Sequence, residues 1–490
     1  MRANPSISGL ALPGEPESVP VISQYADDTT LVATSDQPIT SCFNTYSLFK
    51  KGSGSRLNLD KCRGLWLGLW KDRQHHPLDL QWWSDKIKVL GVYIGPDVTD
   101  EDNWRPRISA VENVLHSWCQ RSLSLSGRAL IINSLALSRI WYVASMVPVP
   151  DAVLQEVNTA IFKFLWKGKR DLVSRSALAQ HPFLGGLSVV SIRFKAQAFL
   201  AQWVKRWFLS CRFGSPHSSG PLLFSCPFVF TPECLPSFYN ALLLAFCVSS
   251  VSLVIGAFSS LEVSPLSDVL AKPCYLFLLS KHYTSPHCVS KLRAQFGQLY
   301  WSSTWQSLSF FPLVRPVFYV AWKIVHRVLY TVDRLVSFGY NVPVLCLCGL
   351  ASETLPHLFF ACHLAQSVLS WLQSLMLTAS RLCPSLHCRH VLFGFNPDEL
   401  HCVPRIFIYI LNVCKFYIWH ARNDFRFRDV PPSTLDLCEC SCPCPCLVVS
   451  NSARGRCYFL RQWCARGVIA SIQLDRLLMH LWTLSLWLLT

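Results

Sequence analysis

Acidic residues are scarce in this chain. Asp and Glu total 29 against 45 Lys and Arg, so the 490 residues carry a formal net charge of +16. With a pI near 9.0, that imbalance points to a polyanionic partner, a nucleic acid or an anionic membrane surface. Charge of either sign is sparse as well, at 15% of residues, while 51% are apolar. Such a composition excludes a disordered chain, which would be poor in apolar residues and rich in charge. No internal repeat is visible. The length suits two to four domains, each able to bury a core.

No secretory leader is expected, because the opening residues hold no apolar run of the required length and soon turn acidic. Without one, the 23 cysteines are not read as a disulfide framework. Most are expected to be small buried apolar residues, in an intracellular protein of nucleus or cytoplasm. Long apolar runs are also few. Ala241–Leu261 is uncharged over 21 residues, and a spanning helix needs about 20. Five serines lie inside it, Glu262 follows at once, and no basic cluster flanks it. The favoured reading is soluble core, so a membrane is not expected as a partner.

Short strands and turns are predicted for residues 20–95. β-Branched residues on both sides of Tyr25-Ala26-Asp27-Asp28 predict a hairpin. Ile87–Ile94 reads as a further strand, stopped by Gly95-Pro96. From Trp104 the period becomes helical. Ile108, Val111, Leu115 and Trp118 share a face, and Ser126 is the expected N-cap of a helix running to about Val143. A third helix carries Leu154, Val157, Ile161 and Phe164, and a fourth Ala196, Phe199, Trp203 and Trp207. Their polar faces hold Arg121, Arg128, Arg139, Lys163, Lys167, Lys169 and Arg170. Within them, Trp166-Lys167-Gly168-Lys169-Arg170 joins an aromatic to clustered cations, a pattern for backbone-phosphate contact or for a solvated face.

Two cysteine clusters stand apart. Cys346-x-Cys348, His357 and Cys362 offer three thiolates and an imidazole, the donor set of tetrahedral zinc. The competing reading is a set of core cysteines in an aromatic cluster. His363 is a candidate substitute ligand. Cys438–Cys446 places five Cys at alternate positions, which is read as low complexity in preference to a soft-metal site. Tyr458–Trp463 is basic and aromatic again, and the closing Leu481–Thr490 is apolar.

Adjacent carboxylates at a turn repel, and a divalent cation reverses the sign of that energy. An Asp pair alone is ordinary turn chemistry, but its surroundings narrow the reading. Tyr25-Ala26-Asp27-Asp28 between two apolar strands resembles the palm motif of reverse transcriptases. Arg56-Leu57-Asn58-Leu59-Asp60-Lys61-Cys62 with Leu65-Trp66-Leu67-Gly68, and then Ile87-Lys88-Val89-Leu90-Gly91-Val92, resemble the next two palm motifs of the LINE-type (non-LTR) retrotransposon enzymes, in that order. Leu125-Ser126-Gly127-Arg128 with Ile131-Ile132-Asn133, Phe164-Leu165-Trp166 and Gly185-Gly186-Leu187 resemble their thumb. Trp322-Lys323-Ile324, Asp333-Arg334-Leu335 and Glu353–Phe360 resemble their zinc-binding segment, although the family's first pair is C-x2-C and here one residue intervenes.

The resemblance implies an α+β fold. A partial palm would occupy residues 1–98, a helical thumb 99–210, an apolar Ser/Pro-rich region 211–320, the zinc-binding segment 321–376 and a helical, low-complexity tail 377–490. It implies two-metal nucleotidyl transfer on an RNA template and DNA primer. Asp27 and Asp28 would hold Mg²⁺ and Tyr25 would pack near the incoming nucleotide. Lys61 would donate a proton to pyrophosphate or simply be a surface lysine. Val89, Leu90 and Gly91 would hold the primer end. Lys163, Lys167, Lys169 and Arg170 are the candidate nucleic-acid contacts. Cys346, Cys348, His357 and Cys362 would hold structural Zn²⁺.

The family's palm also uses an Asp on an earlier strand, whereas Asp27 is the first Asp in this sequence. Arg2-Ala3-Asn4-Pro5 resembles the stretch just past the helix that follows that strand. The expectation is a fragment without fingers, half the palm or an endonuclease. It would be poorly soluble through its open palm edge and unable to polymerise alone unless an upstream polypeptide supplies the rest. The alternative is a non-catalytic RNA- or DNA-binding protein built from thumb and zinc segment.

Overall fold

The computed structural model describes residues 21–213 apart from 79, then 271–282, 299–308, 315–379 and 383–431, with Asn4, Ser6, Ile7 and single positions between 286 and 296. The side chains of Trp203 and Trp207, and the segments 241–261, 438–446, 458–463 and 481–490, lie outside the described residues. Among the described residues the chain is mostly helical, with three two-stranded sheets, an α+β composition. None of its helices there is long and apolar enough to cross a membrane. It forms two compact units. One gathers Met1–Gln120, Asn133–Ile161 and Ser191–Lys281, and the other Arg121–Ile132, Phe162–Val190 and His282–Thr490.

In the first unit, β1 (Val21–Tyr25) pairs antiparallel with β2 (Asp28–Val32), and Tyr25 faces Asp28 across the ladder. Ala26 and Asp27 form the turn, with Ala26 at φ +52°. Helix α1 (Asp36–Ser53) stops at Gly54, whose N–H caps Lys50 O from φ +71°. β3 (Arg63–Leu65) runs parallel to β4 (Gln81–Trp83). Gly64 lies flat on the Trp82 ring, where a Cβ would come within 2.2 Å of it, and Trp66 stacks on the same ring at 4.0 Å.

Residues 87–94 are not one strand. β5 (Ile87–Val89) and β6 (Val92–Ile94) pair antiparallel about Leu90 and Gly91, at φ +48° and +84°. Positive φ at both central residues is what a two-residue type I′ turn requires. Tyr142 Oη donates to Leu90 O at 2.5 Å, which holds the turn closed. Asn103 of α2 (Asp100–Cys119) fastens the second strand, accepting from Tyr93 N at 2.8 Å and donating to Tyr93 O at 3.0 Å. Asp102 caps α2 by accepting from Thr99 N at 2.8 Å and also takes the Lys86 ammonium at 2.7 Å. These bonds hold its carboxyl near pKa 2. Ile108, Val111 and Leu115 of α2 are buried as expected.

The helix expected to start at Ser126 starts earlier and is broken. The N-cap of α3 (Leu125–Ile131) is Ser124, whose Oγ accepts from Gly127 N at 3.2 Å. A π-helical stretch, Ile132–Ala136, then leads to α4 (Ser138–Ala144). Helix α5 (Asp151–Leu165) buries Leu154, Val157, Ile161 and Phe164. The long α7 (Ile192–Phe213) packs on α8 (Ala271–Lys281) through Ala198, Ala201 and Cys274, after α6 (Arg175–Ala179).

The second unit is built on α9 (Trp301–Ser307), α10 (Arg315–Val325), α11 (Val332–Ser337), α12 (His363–Ala379), α13 (Cys388–Phe393), α14 (Pro397–Leu400) and α15 (Arg405–Arg428). Its core joins Val320, Trp322 and Ile324 of α10 to Phe407, Ile410 and Cys414 of α15 and to Ala365, Val368 and Leu372 of α12. The turn before Leu187 is fixed by close packing. A Cβ on Gly185, at φ +84°, would meet the Trp305 ring at 2.8 Å, and one on Gly186 would meet Gln180 O at 1.9 Å. The Gly185 carbonyl accepts from Trp322 Nε1 at 3.0 Å and lies 2.9 Å from His326 Nε2. Burial pulls His326 down to about pKa 4, so the ring is neutral at pH 7 and donates to that carbonyl.

Candidate metal centre and nucleic-acid surface

Cys346, Cys348, His357 and Cys362 come together in the second unit, with one ligand atom of each within 4.8 Å of all the others. Three local devices bring them there. An isolated bridge pairs Leu345 with Ser352 and folds the Cys-x-Cys segment into a knuckle, in which Cys346 N donates to Ala351 O at 2.8 Å. Gly349, at φ +70°, turns the knuckle and donates to Cys346 O at 2.9 Å. A π-helical turn, His357–Ala361, then carries His357 and delivers Cys362 to the start of α12.

The spacing suits zinc. Cys346 Sγ and Cys362 Sγ lie 3.9 Å apart, and Cys348 Sγ lies 3.2 Å from His357 Nε2. A zinc tetrahedron has edges of about 3.8 Å between sulfurs and about 3.5 Å from sulfur to nitrogen. The Cys362 thiol is drawn down to about pKa 5, first by the thiol hydrogen bond from Cys346 and then by the N–H groups of Leu364 and Ala365. Cys346 is pushed up as the donor of that bond and by burial. A thiolate is therefore already favoured at Cys362, the form a metal takes. Four protein ligands leave no open position, so a bound ion would hold the loop together. His363 is exposed and stands outside the set.

A buried ionic network closes on the same loop. Glu353, between the Cys pair and His357, is fully buried. Its carboxylate accepts from Arg422 Nη2 at 2.6 Å, from Arg426 Nη2 at 3.1 Å and from Val332 N at 3.2 Å. Arg426 Nη2 also donates to Leu345 O at 2.6 Å, one residue before a metal ligand. Helix α15 is thereby clamped onto the zinc loop. No motif pointed to this network, because its partners lie 69 and 73 residues from Glu353. The available signal was a lone acid in an apolar stretch of an acid-poor chain.

The other candidate residues are distributed as follows. Tyr25, Asp27 and Asp28 are exposed on the β1–β2 hairpin, and among the described residues no third ligand joins the two carboxylates. Lys61 is exposed at the end of a 3-10 turn, Leu59–Lys61. Val89, Leu90 and Gly91 form the second hairpin's turn and its approach. Lys163, Lys167, Lys169 and Arg170 are all exposed around the end of α5. There Lys167 and Gly168 adopt positive φ, and Gly168 N donates to Lys163 O at 2.7 Å. Trp166 is buried and anchors this turn. Among the described residues none of the four cations has an ion-pair partner.

Residues 284–369 match the family described as zinc-binding in reverse transcriptase. This stretch holds all four ligands and lies within the second unit. Over that stretch the chain is similar to the zinc-binding part of reverse transcriptases. A transposon protein of Xenopus laevis, the transposon TX1 uncharacterized 149 kDa protein, is 32% identical over 206 residues, which is 41% of this chain. The match spans 16% of that protein's own length. Helix α15, whose Arg422 and Arg426 clamp Glu353, lies beyond residues 284–369, so the Cys/His loop is held by residues further along the chain than the family match.

Proposed function

We propose that this chain grips an RNA template and a DNA primer as part of a non-LTR retrotransposon reverse transcriptase. The observation that carries the reading is the unpaired cationic turn at the end of α5, in the same unit as a zinc loop of the reverse-transcriptase kind. Phosphate contacts by lysine and arginine supply sequence-independent affinity, and a retrotransposon polymerase copies many sequences. The zinc ion would be structural, set on Cys346, Cys348, His357 and Cys362.

In this reading Asp27 and Asp28 are carboxylates of a two-metal site. Mg²⁺ would there supply activation of the primer hydroxyl and stabilisation of the leaving pyrophosphate. Tyr25 flanks the nucleotide, Lys61 donates a proton to pyrophosphate, and the turn Val89-Leu90-Gly91 supports the primer end. The residue blocks 1–98, 99–210, 211–320, 321–376 and 377–490 remain our assignment of palm, thumb, apolar region, zinc segment and tail. A second reading, nucleic-acid binding without catalysis, is favoured by one observation. Two exposed carboxylates without a third ligand among the described residues do not make a preorganised two-metal site.

Two assays on the purified 490-residue chain test this. On filters, an RNA–DNA hybrid is expected to be retained, with an affinity that falls steeply with salt. Lys163→Ala, Lys167→Ala and Arg170→Ala together should flatten that slope by about 2 to 3. Retention that ignores both salt and the substitutions removes the reading. With poly(rA)/oligo(dT) and Mg²⁺, no primer extension is expected from the polypeptide alone. Extension abolished by Asp27→Ala would instead establish the catalytic reading.

A further inference from the structure

Two half-buried cations in the second unit, Arg128 and Lys323, are not among the candidate contacts above. Arg128 lies at the α3 turn, Lys169 on the loop after α5, and Lys323 on α10. Lys169, itself one of the candidate contacts, and Arg128 both lie close enough to act on Lys323 as like charges. The junction is made by Tyr319, whose hydroxyl is bonded to both the backbone N and the Oγ of Ser126. Lys323 is four residues along α10 from Tyr319, on the same helix face, and Arg128 is close enough for its charge to act on Lys323 and for Tyr319 to act on it. Tyr319 and Lys323 thus lie on one face of α10, the face bonded to Ser126.

The group lacks what a folded protein ordinarily supplies to clustered cations. Among the described residues no carboxylate pairs with Arg128, Lys169 or Lys323. Arg128 Nε is buried with no hydrogen-bond partner, and a buried donor left unmade costs about 1–3 kcal/mol, more when charged. Burial, then the like charges of Arg128 and Lys169, pull the Lys323 ammonium below the usual lysine range. Burial lowers Arg128 as well. Both desolvation and repulsion are relieved by one tetrahedral anion, which offers several acceptors to a guanidinium and two ammonium groups.

We propose that Arg128, Lys169 and Lys323 form a site for a single phosphate group, and that its occupant is one phosphodiester of the bound nucleic-acid backbone. The inference rests on the nucleic-acid reading above and adds to it a fixed contact, in which the exposed Lys169 acts with the half-buried Arg128 and Lys323. Because the site joins α3 and the α5 loop to α10, a seated phosphate ties the thumb-like segments to the helix that precedes the zinc loop.

The test uses the full chain, an RNA–DNA hybrid and inorganic phosphate. Lys323→Met keeps the aliphatic stem and its packing while removing the charge, and Arg128→Lys keeps charge while removing the buried Nε. Hybrid affinity at 0.1 M salt is expected to fall about tenfold in Lys323→Met, with the salt slope reduced by about 1. Phosphate is expected to raise the melting temperature of the native chain above that in chloride of equal ionic strength. That increment should vanish in Lys323→Met and shrink in Arg128→Lys, while Lys167→Ala leaves it intact. If Lys323→Met binds the hybrid like the native chain and keeps the phosphate increment, the site is overturned and the nucleic-acid reading stands. If the native chain binds no hybrid but shows the increment, the site is a free-phosphate site and the backbone assignment is overturned together with the reading it rests on.

Discussion

Glu353→Ala is expected to destabilise the second unit by about 3–5 kcal/mol, the range for removing one partner of a buried ion pair. The substitution strands two guanidinium groups. Arg422 is 2% exposed and Arg426 14%, and both lose their carboxylate together with Val332 N. Neither arginine can shed its proton, since guanidinium stays charged at any accessible pH. Urea unfolding, followed by near-UV signal from the tryptophans, reads the loss. Glu353→Gln keeps the shape and is expected to fall close to the Ala variant, because a neutral amide cannot balance two cations. Pairing Glu353→Leu with Arg422→Met should recover part of the loss, since an apolar pair of similar volume often replaces a buried ion pair at little cost. A loss below about 1 kcal/mol for Glu353→Ala would show that the network does not hold the loop.

Removing zinc is expected to have the second large effect. Binding of structural zinc contributes about 10–16 kcal/mol in isolated finger peptides, and that energy is folding energy. Here α12 and α15 keep their own apolar core, so the loss should be confined to residues 343–362. One zinc per chain is expected by metal analysis. A chelator should release it and expose Cys346, Cys348 and Cys362 to thiol reagents while α15 stays protected from hydrogen exchange. Cys348→Ser should weaken zinc by at least about a hundredfold, since even partners that only orient ligands are worth 10–100-fold. His363→Ala should change nothing, as that ring is exposed and stands outside the set. A chain that folds without metal and keeps its thiols unreactive would return these residues to ordinary core cysteines.

Local chemistry was the legible part of this chain. β-Branched residues around a polar turn marked the β1–β2 hairpin, and Cys-x-Cys with His and Cys marked the metal set before any coordinates. What escaped was either locally disfavoured or distant. Leu90 at positive φ is a conformation that a leucine avoids, so Ile87–Ile94 read as one strand, and only the Tyr142 hydroxyl, 52 residues away, explains the turn. Ser124 and Ser126 are both good caps, and the choice fell to Ser124 while Tyr319 engaged Ser126. Arg128 read as a surface cation because nothing in its own segment shows that its Nε is buried. The Glu353 network has no local signature at all.

The bond between Ser126 and Tyr319 spans 193 residues. A ribosome adding about 5–20 residues per second leaves roughly 10–40 s between the emergence of the two partners. Throughout that interval Ser126 waits without the hydroxyl that ties α3 to α10. The Glu353 clamp closes later still, when Arg426 appears. Slow translation therefore lengthens the time for which α3 and the Cys/His loop stand without the distant residues that fasten them.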